Sequence, residues 1–137
     1  MKAIGARQFL TVSNPDSLVG FDAEIPSPGP NDLLVRIMAV SVNPVDTKVR
    51  KMLCDGPHEP PRILGFDAAG IVTATGAGVN GFAIGYEVFY SVDVTRSGSN
   101  SEFQVVDARL VAKKPATWSF AESAALPLVV LTAWELL

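Results

Sequence analysis

Cysteine and histidine are nearly absent: Cys54 and His58 stand alone in 137 residues. One thiol excludes a disulfide framework and a cysteine-based zinc knuckle, and it suits a reducing compartment such as the cytoplasm. Cys54 and His58, four residues apart in a polar loop, make at most half of a metal site. Charge is sparse as well, at 18 % of residues with a net of −3 and no block of one sign. Nothing therefore points electrostatically to nucleic acid or to an anionic membrane as a partner. The longest apolar stretch, around 124–131, is broken by Pro127, so no membrane span is expected. The N-terminus has no basic segment leading into a long apolar run, so no secretory signal is expected.

What is plentiful is punctuation. Eleven Gly and ten Pro divide a chain that is 48 % hydrophobic, which favours short β elements around a real core in a chain of one-domain length. Residues 2–12 read as a strand and its return, Asn14-Pro15-Asp16 as a turn, and 17–25 as an irregular strand. The proline-rich run 26–32 reverses the chain. Residues 33–42 (LLVRIMAVSV) form the strongest strand. Val35, Ile37 and Ala39 share one face; Leu34, Met38, Val40 and Val42, with Arg36, share the other. Apolar residues on both faces predict a central, buried strand.

Asn43 then takes a helix N-cap position with Pro44 at the first helical position, opening a short helix over 45–52. Residues 63–77 contain a strand with glycines at bends. Residues 86–92 alternate, with Val88, Tyr90 and Val92 opposed to Glu87, Phe89 and Ser91. Short strands follow at 102–107 and 109–113. Ser119-Phe120-Ala121-Glu122 is a capping-box pattern for a short helix, and 128–137 begins another. Tyr90 and Trp118 read as core or interface aromatics.

Taken in order, SVNPVDTKVR, LGFDAAGIV, GYEVF, SEFQVVD, KKP and AALPLVVLTAWELL resemble the quinone oxidoreductase (zeta-crystallin-like) and zinc-type alcohol dehydrogenase-like branch of the medium-chain dehydrogenase/reductase family. The resemblance covers essentially the whole chain. It implies a mainly β, GroES-like, partly open β barrel with short helices as a substrate domain over 1–115. Residues 116–137 would then be a helical connection to an absent Rossmann domain that binds NAD(P). The phosphate-binding fingerprint is missing: GAGVNG at 76–81 runs into a loop and reads as a hairpin connection.

The implied activity is NADPH-dependent, zinc-independent reduction of quinones or enones, with this chain alone inactive and binding NADPH weakly. Where zinc-using relatives have Cys and a His-Glu pair, this chain has Asn43 and Phe66-Asp67, and amide and phenyl do not replace thiolate and imidazole. Asn43 is implied to lie near nicotinamide and substrate, donating to a developing oxyanion while also capping the helix. Pro44 accompanies it beside the cofactor. Asp46 and Lys48 either orient a proton donor or water, with Lys48 at the substrate, or form a solvated helix face. Relatives often carry Tyr at the position of Lys48. Phe66 is a pocket wall or a core aromatic. Thr132 resembles the threonine that faces the nicotinamide, against the alternative of a helix threonine bonding its own backbone.

The longer protein is expected to be a homo-oligomer. The last helix is expected to be displaced, disordered or packed on another copy, since its apolar residues lack a partner. A non-enzymatic GroES-like binding module is the competing reading.

Overall fold

In the computed structural model, which describes residues 1–53 and 56–137, the alternating segments become eight strands among the described residues. A small antiparallel sheet is built from β1 (Lys2–Ala6), β2 (Val19–Asp22) and β4 (Arg62–Ile63), in the order β2-β1-β4. A larger one takes β3 (Asp32–Ser41), β5 (Asp67–Thr75), β6 (Glu87–Ser91), β7 (Phe103–Asp107) and β8 (Val111–Lys113), in the order β7-β3-β5-β6-β8. An isolated bridge links Ala3 of β1 to Ser101 just before β7, and among the described residues no further pairing closes the two sheets into a barrel. Among the described residues, three α-helices, α1 (Pro44–Lys51), α2 (Phe120–Ala124) and α3 (Pro127–Glu135), and two 3-10 turns, Pro15–Ser17 and Ala108–Leu110, complete the order. Among the described residues, no helix is long and apolar enough to cross a membrane.

The core lies on the inner face of the large sheet, where Leu33, Val35, Ala68, Val72, Val88, Tyr90 and Val106 pack together. The Tyr90 hydroxyl donates to Gln104 Oε1 at 3.1 Å, which satisfies its polar end inside the core. A second cluster beneath α1 joins Ala6, Val49, Leu53, Leu64 and Phe66, and Val92 touches both. The predicted inward face of β6 is the observed one.

β3 departs from expectation. It is central, between β7 and β5, but only Leu33 and Val35 are fully buried, while Met38, Val40 and Val42 are exposed. The reason is partial cover. β7 pairs with β3 only over Asp32–Arg36, and the β3–β5 register slips between Ile37 and Ala39. The stretch 63–77 is likewise divided. β4 joins the small sheet and β5 the large one, and Gly65 turns the chain between them with φ of +97°. An added Cβ there would also lie 2.6 Å from Ser99 Oγ.

GAGVNG is the hairpin connection it resembled. The Gly78 N–H donates to the Pro30 carbonyl at 2.8 Å, and a Cβ on Gly76 would come within 2.0 Å of the Gly29 carbonyl oxygen. Arg96 clasps the proline turn through two bonds of 3.0 Å to Asp32.

The last helix is neither displaced nor disordered. Pro127 is buried at its start, and Val130 and Leu131 line an apolar groove of about 350 Å³ with Phe89, Leu110 and Trp118. Its far end, Trp134 and Leu136, remains exposed.

Candidate functional site

The Asn43-Pro44 signal produces the helix start that its chemistry demands. Asn43 is extended at the N-cap of α1 and Pro44 occupies the first turn. Asp46 closes a capping box, with its Oδ2 accepting the Asn43 N–H at 2.7 Å. The Asn43 side chain turns inward: Nδ2 donates to Ser41 Oγ at 3.1 Å and to Asp67 Oδ2 at 3.0 Å. Ser41 Oγ donates to the same carboxylate oxygen at 3.0 Å.

Asp67 is the centre of this arrangement. It opens β5 and is fully buried. Sheet register sets it between Ser41 of β3 and Ser91 of β6. Its other oxygen, Oδ1, accepts the Leu128 N–H of α3 at 3.1 Å. Burial pushes its carboxyl above the usual carboxylate range, opposed by the hydrogen bonds from Ser41, Asn43, Ser91 and Leu128. Each of these partners is uncharged. A carboxylate set against the first turn of α3, as Asp67 is, is also favoured by the helix dipole.

Thr132 lies one turn beyond Leu128, exposed, with its hydroxyl donating to the Leu128 carbonyl at 2.8 Å. Asn43, Asp67, Leu128 and Thr132 thus form one hydrogen-bonded run from the α1 turn to α3. Of the residues singled out by sequence, Asn43, Pro44, Asp46 and Thr132 gather at its two ends. Lys48 is exposed on α1.

Phe66 is not brought to an open pocket. It is 1 % exposed within the cluster under α1, because the turn at Gly65 and the start of β5 direct residue 66 inward. Nor does Asn43 keep a free amide proton for an oxyanion, since both are committed to Ser41 and Asp67. The sequence marks Asp67 only as standing where zinc-using relatives have Glu. Its signal in sequence was a carboxylate opening a strand of Ala and Gly, in a chain whose Ser41 and Asn43 could satisfy it.

The donor set does not fit a catalytic zinc. A buried phenyl stands at 66 and a committed amide at 43, and among the described residues no group of three or more His, Cys, Asp or Glu could hold a metal ion. Cys54, one half of the Cys54–His58 pair, lies outside the described residues.

A family model described as "Alcohol dehydrogenase GroES-like domain" matches residues 29–116. A zinc-type alcohol dehydrogenase-like protein of Staphylococcus epidermidis is 42 % identical over 137 residues, which is 100 % of this chain and 40 % of the relative. A 2-methylene-furan-3-one reductase of Solanum lycopersicum is 37 % identical over 118 residues, 81 % of this chain and 30 % of that protein. Among solved structures, the Escherichia coli quinone oxidoreductase complexed with NADPH superposes with a TM-score of 0.84 at 30 % identity, covering 99 % of this chain and 40 % of that one. The chain therefore spans less than half the length of these relatives.

Proposed function

Since the chain belongs to the alcohol dehydrogenase GroES-like domain family, within the medium-chain dehydrogenases and reductases, we propose that it is the acceptor-binding part of an NADPH-dependent oxidoreductase. Its acceptors are quinones, enones or related carbonyls, and it works without zinc. The names of the furanone reductase and the quinone oxidoreductase support the substrate class, and the latter's NADPH complex supports the cofactor. The observation that carries the reading is the run from Asn43 through Asp67 to Thr132, which links the α1 turn to the α3 face.

The residues fit the nicotinamide end of the cofactor only. Thr132 offers an exposed hydroxyl and Pro44 an exposed, donor-free edge, whereas Gly76 and Gly78 of the glycine-rich loop are pressed against Gly29, Pro30 and Asn31 and leave no cradle for a phosphate there. A second, nucleotide-binding domain therefore supplies the pyrophosphate site in this proposal. When bound, the cofactor supplies the hydride. Asn43 and Asp46 fix the turn beside the acceptor, and Lys48 places a cation on the exposed face of α1. Thr132 orients the carboxamide. The exposed apolar end of α3 suits packing against protein, either the second domain or another protomer of a homo-oligomer.

The test is NADPH oxidation with a quinone and with an enone by the longer protein, after exhaustive chelation and with zinc restored. Turnover indifferent to both treatments is the expected result. Activity that vanishes with chelation and returns with zinc overturns the zinc-free reading. Calorimetry on the 137-residue chain is expected to show weak NADPH binding, and tight binding counts against a separate pyrophosphate site.

A further inference from the structure

We propose that Asp67 is a positioning residue: one buried carboxylate fastens the Asn43 turn to the start of α3 and so sets Thr132 relative to α1. This deepens the functional reading above and rests on it for its catalytic consequence, but the fastening itself is independent of any activity.

The argument begins with chemistry. Asp67 Oδ2 receives the Ser41 hydroxyl and the Asn43 amide, and Oδ1 receives the Leu128 N–H. All three are donors, so the group between them must accept at both ends. An ionised carboxylate does that; an amide of the same size offers one acceptor oxygen and one donor nitrogen. Asp67→Asn therefore faces a donor with a donor on one side whichever way it is turned. Removing an acceptor from a buried donor costs more than the bond itself contributed.

Geometry adds a second reason. The three donors come from the end of β3, the cap of α1 and the first turn of α3, with sequence separations of 24 to Asn43 and 61 to Leu128. Asp67 is fully buried, and Ser99 Oγ donates to its carbonyl at 3.1 Å, so its backbone is held as well. α3 meets the rest of the chain at its base, where Pro127 is buried, and along the groove that Val130 and Leu131 line, while Val129 and Trp134 are more than half exposed. Its direction therefore depends in part on how that base is fixed.

Three measurements test this. In the wild-type chain, a trans-hydrogen-bond scalar coupling from the Leu128 amide nitrogen to Asp67 Cγ is expected, together with two resolved Asn43 Nδ2 proton resonances. Absence of both overturns the proposal without any variant. In Asp67→Asn, amide exchange over 128–135 is expected to rise about tenfold, the equivalent of one lost bond to a charged acceptor. Exchange in β3, β5 and β6 stays at the wild-type level. Unchanged exchange in α3, or an equal rise in the strands, overturns it.

In the longer enzyme, the same variant is expected to lower kcat about tenfold or more with KM for the acceptor nearly unchanged, as misplacement does. A change in KM alone contradicts the positioning role. A wild-type enzyme that transfers no hydride to any acceptor defeats the functional reading, and the coupling and exchange results then decide the fastening by themselves.

Discussion

The Leu128 N–H reaches Asp67 Oδ1 at 3.1 Å across 61 residues of sequence, so a helix at one end of the chain is held by a carboxylate buried between strands at its middle. That carboxylate and Asp32, clasped by Arg96, have opposite electrostatic histories. Burial raises the Asp67 pKa, whereas the Arg96 hydrogen bonds hold Asp32 below the usual carboxylate range. A raised folded-state pKa contributes stability that is full below the unfolded value and is lost as pH rises through the folded one. A lowered pKa contributes stability present above the unfolded value and lost as pH falls through the folded one. Wild type should therefore gain on Asp67→Asn, and lose ground to Asp32→Asn, as pH falls from about 7 to about 3, from above the ordinary Asp value of about 3.9 to below it. Urea unfolding of the three proteins at both pH values checks this. Parallel slopes for the two variants would refute it.

Asn43→Ala removes a donor from a buried, unpaired anion and should cost about 1–3 kcal/mol, whereas Ser41→Ala, which leaves the amide in place, should cost about 0.5–1.5 kcal/mol. The order matters more than the sizes. Ser41 is half-buried and Asn43 buried, so water replaces the hydroxyl more readily than the amide. Denaturant midpoints with unchanged slopes provide the comparison. An Asn43→Ala protein as stable as wild type would leave Asp67 without the dependence inferred for it.

Local signals in the sequence were legible where they acted locally. Asn43-Pro44 set the start of α1, Ser119 and Glu122 set α2 through bonds of 3.2 and 2.8 Å, and the alternation around Tyr90 set the inner face of β6. Periodicity at Met38 and Val40 tells which residues share a face, but how far β3 is flanked and covered depends on where β7 ends its pairing and on which elements pack over the sheet, which β3 does not encode. Asp67 was harder still. Its partners lie 24 to 61 residues away, so its role depends on sheet register and on the placing of α3. Phe66 reads as a pocket wall by resemblance and as a core aromatic by residue type, and it is buried in the cluster beneath α1.

Two glycines with left-handed backbones separate strain from crowding. Gly65 has φ of +97° and would place a Cβ against Ser99 and Asn100, whereas Gly85 has φ of +90° and open space around it. Gly85→Ala should cost about 1 kcal/mol from backbone conformation alone. Gly65→Ala should cost clearly more, since Ser99 Oγ is buried and already bonded to the Asp67 carbonyl. Thermal unfolding of both variants measures the difference. Equal losses would mean that Ser99 and Asn100 yield without cost and that the turn before Asp67 is not tightly packed.

Thr132 offers the sharpest separation of scaffold from chemistry. Its hydroxyl donates to the Leu128 carbonyl at 2.8 Å within an exposed stretch of helix, and that carbonyl already has the solvent and its own helix partner available. Thr132→Val keeps the shape and the β-branch, so its effect on stability should stay within about 0.5 kcal/mol. If the hydroxyl orients the nicotinamide carboxamide in the longer enzyme, turnover should fall about fivefold, the worth of one hydrogen bond of about 1 kcal/mol. Equilibrium unfolding of the chain and steady-state kinetics of the longer protein, measured on the same substitution, give both numbers. Lost stability with full turnover would return Thr132 to the role of a helix residue bonding its own backbone.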